Sequence, residues 1–239
     1  PDLNYVKSAV EAIAPFLEEG NLIILESTSP VGTTEQMGEQ ICNLRPDLVQ
    51  NKHLNIHLAH CPERVLPGQI LKEIVENDRI VGGTTPEATR RAVEFYSCFV
   101  KGAIISTTSQ TAELTKLVEN SFRDTNIAFA NELSLICDKL DINVWELIQL
   151  ANRHPRVNIL NPGPGVGGHC LAVDPWFIVS AAPKTARLIR TSREVNESKP
   201  QYIVEEVMKK IKNIENPTIG CLGVSYKPNT DDLRESPAM

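Results

Sequence analysis

The chain has 239 residues, of which 41% are hydrophobic and 23% are charged, and its formal net charge is −6. These values are typical of a globular protein with a buried core; the negative charge argues against a general nucleic-acid binder, and no apolar run reaches the roughly 18 residues of a membrane span. The six cysteines lie far apart with no C-x-x-C pair, which predicts neither disulfides nor a zinc site and favours the cytoplasm.

The first hundred residues alternate between strand-like and helix-like segments. The predicted strands are NLIILEST, LNIHLAHCPE, RIVGG and GAIIST. The predicted helices are an amphipathic one that ends before Gly20, one over Thr34 to Leu44, and PEATRRAVEFYSCF. Alternation of this kind predicts βαβ units and a parallel sheet.

From Thr111 onward the pattern becomes helical. The predicted helices are a long one over Leu114 to Ile136, then Val144–Leu150, Trp176–Ala182 and Ala186–Ile211. PTIGCLGVSYKP then predicts another strand. We therefore expect an α/β chain made of the second part of one α/β domain (1–108), a central helical domain (109–214) and the start of a further α/β domain (215–239). A sheet without a first or last strand predicts a fragment.

The stretch NPGPGVGGHCLAVDPW contains Gly163, Gly165 and Gly168 in the G-x-G-x-x-G spacing of a dinucleotide fingerprint. That fingerprint needs a strand before it and a helix after it, but no strand precedes this loop and Pro175 would end such a helix within two turns. We interpret the stretch instead as a flexible loop that presents Cys170 to a substrate. A helix is then expected to begin with Asp174 as N-cap and Pro175 at its first position.

Two further segments directly follow predicted strands. In ESTSPVGTT, Ser27 and Thr28 are candidates to bind a substrate or a nicotinamide, because strand carboxyl ends line the ligand crevice of such sheets. The alternative is a simple Ser/Thr helix cap. In CPERVLPG, Glu63 and Arg64 are candidate substrate contacts, and a surface ion pair is the alternative.

Polar residues also occur on the predicted long helix and in the last turn. Glu113, Lys116 and Asn120 fall on one helix face, where Lys116 and Asn120 are candidates to stabilise an oxyanion; a solvated polar stripe is the alternative. SYKPNTDDLRESP is a charged turn, whose alternative interpretation is ordinary capping, and its charged residues include Lys227, Asp231, Asp232 and Arg234.

Two basic or imidazole clusters have ordinary explanations. His53, His57 and His60 lack acidic or cysteine partners at ligand spacing, so no metal is expected. Arg153, His154 and Arg156 precede the glycine loop, where they would either dock a phosphate-bearing ligand or form a solvated helix end.

Taken in order, STSPVGTT, CPERVLPG, AELTKLVENSFRDTNIAFANEL, GVGGHC and YKPNTDDLRESP resemble the nucleotide-sugar dehydrogenases of the UDP-glucose/GDP-mannose family along essentially the whole chain. The resemblance implies NAD as cofactor, a UDP-sugar as substrate, a Rossmann-like NAD-binding domain, a homodimer formed through the central helices and a UDP-binding Rossmann-like third domain. The fingerprint that holds the pyrophosphate is not in this chain, so we expect the chain alone to be inactive.

The resemblance also implies roles for individual residues. The implied catalytic residues are Cys170 as nucleophile, Lys116, Asn120, Asp174 and Thr28. The implied substrate-binding residues are Glu63, Arg64, Arg156, Gly167, Gly168 and Lys227. The implied cofactor-binding residues are Ser27, Thr28, Glu63 and Arg234.

The implied reaction explains why a cysteine is needed. An aldehyde has no alkoxide to expel a second hydride, and addition of a thiolate supplies one. The chain departs from enzymes that act on UDP-glucose, which carry Pro-Lys-Asp where it has Ala172, Val173 and Asp174, and a glutamate where it has Pro67. Both departures resemble the branch that uses UDP-2-acetamido sugars such as UDP-N-acetyl-D-mannosamine; UDP-N-acetylglucosamine and UDP-glucose are the alternatives.

Two functions of other classes remain open at this stage. An acyl-transferring or hydrolytic cysteine enzyme would need a histidine base near Cys170, and His169 is adjacent in sequence although neighbouring side chains usually diverge. A non-catalytic scaffold would fold and dimerise through its central helices without turnover.

Overall fold

A computed structural model describes residues 2–51, 53–65, 68–227 and 231–239. Pro67 and residues 228–230, which belong to two of the motifs above, lie outside the described residues. The chain divides into two compact units, Pro1–Leu117 and Val118–Met239.

The first unit is an α/β layer structure around a four-stranded sheet. Its helices are α1 (Asn4–Ile13), α2 (Thr33–Leu44), α3 (Ile70–Glu76) and α4 (Pro86–Ser97). Its strands are β1 (Leu22–Leu25), β2 (Val49–Gln50), β3 (His53–Leu54), β4 (His57–His60), β5 (Arg79–Gly83) and β6 (Ile104–Thr108). A 3₁₀ turn over Ala14–Phe16 contains Pro15, which lacks the amide hydrogen that a continuing α-helix would use.

The sheet has the order β1-β4-β5-β6, and β2 and β3 form a separate two-stranded ribbon. The pairs β1/β4 and β5/β6 are parallel, as the alternation predicts. The β4/β5 pair is antiparallel, so the expectation of a purely parallel sheet is wrong at this step. The connection that contains α3 therefore brings the chain into β5 at the edge where β4 ends, whereas a βαβ unit would return it to the opposite edge.

Two apolar clusters lie on the two faces of the sheet. The first unites α1 and α2 with Leu58, and the second unites α4 with Ala59 and Val81. Leu58 and Ala59 are consecutive residues of β4, so their side chains point to opposite faces. Both faces of this sheet are therefore covered, which explains why its strands read as continuous apolar runs.

The second unit is helical. Helix α5 (Ser109–Lys139) begins in the first unit and continues into the second, where α6 (Val144–Ala151), α7 (Asp174–Ala181) and α8 (Arg187–Ile211) follow. These helices confirm the predicted elements to within a few residues. The strand predicted over PTIGCLGVSYKP is wrong, since residues 217–227 form no strand. A strand is stable only beside a partner strand, and the described part of this unit has none.

Candidate active site

The carboxyl ends of β1 and β4 lie at the same edge of the sheet, since Leu25 pairs with His60. After β1, Ser27 is exposed and Thr28 half-buried, and the Ser29 hydroxyl donates to the Ser27 carbonyl over 2.8 Å. The interpretation of this segment as a Ser/Thr helix cap is wrong. The N-cap of α2 is Gly32, with φ 89°, which has no side chain that could cap the helix.

The turn after β4 is organised by the Glu63 carboxylate. Its Oε1 accepts hydrogen bonds from the backbone amides of Arg64 (2.6 Å) and Val65 (2.8 Å). Its other oxygen lies 3.7 Å from Nη1 of Arg79, whose side chain is 2% exposed. Glu63 therefore lies between a tight turn and a buried guanidinium, so its ion pair with Arg79 is not a purely surface one.

The N-terminus of α2 is capped from a distant part of the chain by Glu113, near the start of α5. The Glu113 carboxylate accepts hydrogen bonds from the Gly32 amide (2.6 Å), the Thr34 amide (2.8 Å) and the Thr34 hydroxyl (2.7 Å). Glu113 is buried. A negative charge at this position is favoured by the dipole of α2.

The polar residues of α5 are not a solvated stripe. Asn120 is buried and its amide nitrogen donates to Oδ2 of Asp174, also buried, over 2.6 Å. Lys116 lies one turn before Asn120 on the same helix and is half-buried. Asn120 thus ties the start of α7 to α5 within the second unit.

The loop that carries Cys170 lacks the strand-turn-helix context of a dinucleotide fingerprint, as predicted. No strand precedes it, and α7 starts only at Asp174, one residue earlier than predicted, with Val173 as N-cap. Cys170 is half-buried, and its carbonyl accepts from the amides of Val173 (3.1 Å) and Asp174 (2.8 Å). The cysteine therefore stands on a tight turn at the entrance to α7.

The glycines of this loop allow a close approach by the charged turn. A Cβ on Gly167 would lie 2.5 Å from Cβ of Tyr226 and 2.7 Å from the Glu235 carbonyl oxygen, and Gly168 has φ +86° with its Cβ position 2.8 Å from the Tyr226 ring. The Gly168 amide also donates to the Arg234 carbonyl over 3.1 Å. In the second unit these glycines make room for the chain's own later segment.

Several charges gather near Cys170. Arg234 forms an ion pair with Asp232 at 2.7 Å, which raises the pKa of the Arg234 guanidinium, and the Cys170 thiolate adds to this shift. Hydrogen bonds from Arg234 hold the pKa of Asp232 well below its usual range. Nδ1 of His169 lies 3.7 Å from Oδ2 of Asp232.

The remaining predicted residues lie at the surface. Lys227 is exposed, with Nζ 5.6 Å from the centroid of the Tyr226 ring. Arg156 is exposed, and its amide donates to Nδ1 of His154 over 3.3 Å. Both side chains are accessible to an anionic ligand.

The sequence analysis missed a buried polar network on α5 and α8. Its members are Asp124, Asn131, Arg193 and Asn196, all at most 2% exposed. One signal was present, because residues 113, 120, 124 and 131 recur at intervals of seven, four and seven, which places them on one helix face. Polar residues at the spacing expected of a buried face indicate a buried network.

The strand-end residues suit a nicotinamide cofactor. The Ser27 and Thr28 hydroxyls, at the carboxyl end of a parallel strand, offer hydrogen bonds that a carboxamide group can satisfy. Among the described residues, no group of three or more His, Cys, Asp or Glu side chains has the geometry of a metal site. In the same part of the chain, no helix combines the length and apolar character needed to cross a bilayer.

Comparison with known proteins identifies the family. Residues 1–100 match the NAD binding domain of the UDP-glucose/GDP-mannose dehydrogenase family, and residues 110–198 match its central domain. The chain belongs to this family. The resemblance found in the motifs is confirmed, and with it the expectation of NAD as cofactor.

Individual relatives are similar along the whole chain. It is 61% identical to a UDP-N-acetyl-D-mannosamine dehydrogenase of Campylobacter jejuni and 60% identical to an NDP-N-acetyl-D-galactosaminuronic acid dehydrogenase of Ralstonia nicotianae. It spans 60% and 57% of the lengths of these two relatives. Its structure is also similar to that of a UDP-D-ManNAc dehydrogenase from Pyrococcus horikoshii, with a TM-score of 0.89 and 45% identity over 100% of this chain and 57% of that one.

Proposed function

We propose that the protein oxidises the C6 alcohol of a UDP-2-acetamido sugar, UDP-N-acetyl-D-mannosamine, to the uronate in two steps that consume two NAD. The observation that carries the proposal is the turn at Cys170, whose thiol stands at the entrance to α7, four residues before the buried Asp174–Asn120 contact. The relatives named for reactions on 2-acetamido sugars support this choice of substrate.

Cys170 acts as the nucleophile in the second half of the reaction. NAD, when bound, accepts the hydride in each oxidation. The Cys170 thiolate adds to the aldehyde carbon, which turns the carbonyl oxygen into an alkoxide, and loss of the second hydride leaves a thioester on the cysteine. Water then cleaves the carbon–sulfur bond, so that the acid leaves and Cys170 is restored.

Lys116 and Asn120 stabilise the oxygen atom bound to the reacting carbon. An ammonium and an amide donor stabilise the negative charge that develops there in both the addition and the hydrolysis. The Asp174 carboxylate accepts a hydrogen bond from the Asn120 side-chain amide over 2.6 Å and thereby orients that amide. Thr28, which follows β1, is assigned to the catalytic residues because the motif resemblance implies it.

The binding roles are those that the motif resemblance implies. Ser27, Thr28, Glu63 and Arg234 are assigned to the cofactor, and Glu63 is also assigned to the substrate. The residues assigned to the UDP-sugar are Glu63, Arg64, Arg156, Gly167, Gly168 and Lys227. A homodimer formed by the central helices and a cytoplasmic location, which the cysteine spacing favours, complete the proposal.

The test uses the full-length product of the gene with NAD and UDP-N-acetyl-D-mannosamine. We expect two NADH for each uronate, and we expect Cys170→Ser, whose hydroxyl stays protonated near neutral pH, to form aldehyde but almost no uronate. Uronate production by Cys170→Ser at more than about a tenth of the parental rate, a loss of under roughly 1.4 kcal/mol of barrier, would refute the nucleophile assignment. Faster turnover of UDP-N-acetylglucosamine or UDP-glucose would correct the substrate, and absence of NADH with every UDP-sugar would favour the non-catalytic scaffold.

A further inference from the structure

The loop from Gly163 to Leu171 is anchored at both ends to one buried hydrogen-bond network. At its start, the Gly163 amide donates to Oδ1 of Asn131 over 2.8 Å. At its end, Nη1 of Arg193 donates to the Leu171 carbonyl over 3.3 Å. Leu171 directly follows Cys170, so this second anchor fixes the peptide next to the thiol.

The two anchors are connected through side chains of α5 and α8. Asn131 donates to Asn196 over 2.8 Å, and Asn196 donates to Oδ1 of Asp124 over 2.8 Å. Oδ1 of Asp124 also accepts from Nη1 of Arg193 at 2.7 Å. The path from Gly163 to Leu171 is therefore continuous and consists of four side chains.

The Asp124–Arg193 ion pair is the centre of this network. The two side chains are 1% and 2% exposed, so both charges have been removed from water. Arg193 also contacts Glu197, one turn further along α8, at 3.1 Å, and this half-exposed carboxylate accepts a second hydrogen bond from the indole of Trp176 on α7. A buried ion pair adds little net stability compared with apolar residues of similar size, although removing one partner alone is costly. Stability alone therefore gives a weak reason for this pair, whereas its contact with the loop gives a specific one.

We propose that Arg193, held by Asp124, is a positioning residue that fixes the Cys170 thiol for attack on the aldehyde. The proposal rests on the function proposed above, since it requires Cys170 to be the nucleophile. A displacement of about 1 Å at a reacting group is enough to lower a rate by roughly 100-fold. The first oxidation does not use the thiol, so a misplaced Cys170 slows the second oxidation selectively.

The test compares Arg193→Lys with the parent in the full-length protein. A lysine keeps the charge beside Asp124 but lacks the planar guanidinium, whose Nη1 contacts Asp124 and the Leu171 carbonyl while Nη2 is held by Glu197. We expect uronate formation to fall at least 10-fold, the KM for the UDP-sugar to change less than 2-fold, and the aldehyde to be released and trapped by hydroxylamine. Glu197→Gln, which alters a neighbour of the same guanidinium away from the loop, is the matched control and should partition like the parent.

A second variant guards against misfolding. The double substitution Asp124→Leu with Arg193→Leu removes both buried charges, so it should fold, as judged by thermal unfolding, and still release aldehyde. Equal loss of both oxidation steps, or parental partitioning in both variants, would overturn the positioning role. The Cys170→Ser variant in the same assay separates the two proposals. If it stops at the aldehyde, failure of the positioning role leaves the proposed function intact. Uronate production by Cys170→Ser would instead overturn the function and the positioning role together.

Discussion

Replacing Glu113 by alanine should destabilise the first unit strongly. Glu113 makes three hydrogen bonds of 2.6, 2.8 and 2.7 Å to donors of Gly32 and Thr34 and is 1% exposed. Hydrogen bonds to a charged group are each worth about 1.5–3 kcal/mol, and loss of a helix cap costs about 0.5–2 kcal/mol. The contributions overlap, and water can reach the half-buried Gly32 amide, so we expect a loss of about 3 kcal/mol.

The assay is urea unfolding followed by circular dichroism. With a slope of about 2 kcal/mol per molar urea, a loss of 3 kcal/mol lowers the midpoint by about 1.5 M. Thr34→Val keeps the shape of the side chain, removes one hydrogen bond and should cost about 1 kcal/mol. Glu132→Ala, an exposed position on the same helix, is the control and should leave the midpoint unchanged.

A double-mutant cycle decides whether the contact itself is responsible. If Glu113 caps α2 as described, Glu113→Ala with Thr34→Val should be less destabilising than the sum of the single variants, because they remove the same hydrogen bond. A loss under 1 kcal/mol for Glu113→Ala, or strictly additive single effects, would refute the reasoning.

Two further predictions concern pH and the glycine loop. Burial lowers the pKa of His60 to about 4. Between about pH 6.5 and pH 4 the unfolded chain therefore binds a proton at His60 that the folded chain does not bind. The unfolding free energy should fall by up to about 3 kcal/mol as the pH is lowered through this range. Urea titrations along this range should show a flatter dependence for His60→Phe and an unchanged one for the exposed His53→Gln; parallel curves for all three proteins would contradict the assignment. Gly167→Ala should displace the charged turn, because its Cβ would lie 2.5 Å from Tyr226, and should speed trypsin cleavage at Arg234. Gly163→Ala, whose Cβ would have 3.9 Å to its nearest neighbour, should be cleaved at the parental rate, and equal rates for both variants would count against the close approach.

The elements that the sequence predicts well are those whose periodicity is set by local packing. Helix α2 was expected over Thr34 to Leu44 and spans Thr33–Leu44, because its apolar residues repeat on one face toward the sheet. The direction of β5 relative to β4 was missed, since strand direction depends on the path of the intervening chain and leaves no mark in the composition of RIVGG. The strand predicted over PTIGCLGVSYKP is absent from residues 217–227 for a related reason, because a strand needs a partner strand.

The same distinction applies to the site. The loop around Cys170 was predictable, since Pro175 and the lack of a preceding strand exclude a cofactor cradle on local grounds. The partners of Glu113 and Arg193 were not, because each contacts residues 69 to 81 positions away in the chain. Long-range pairing of polar groups carries no local periodic signal on the partner's side, so only one half of each contact could be suspected.

The buried polar face of α5 also determines the rotation of the helix about its own axis. Glu113, Asn120, Asp124 and Asn131 each form hydrogen bonds with specific polar groups, and all four point in nearly the same direction around the helix axis. A slip of one residue would rotate all four side chains by about 100° at once and leave every one of these groups buried without its partner. An apolar face tolerates such a slip far more readily, since one aliphatic side chain can replace another. The polar face therefore restricts this 31-residue helix to a single rotational setting about its axis.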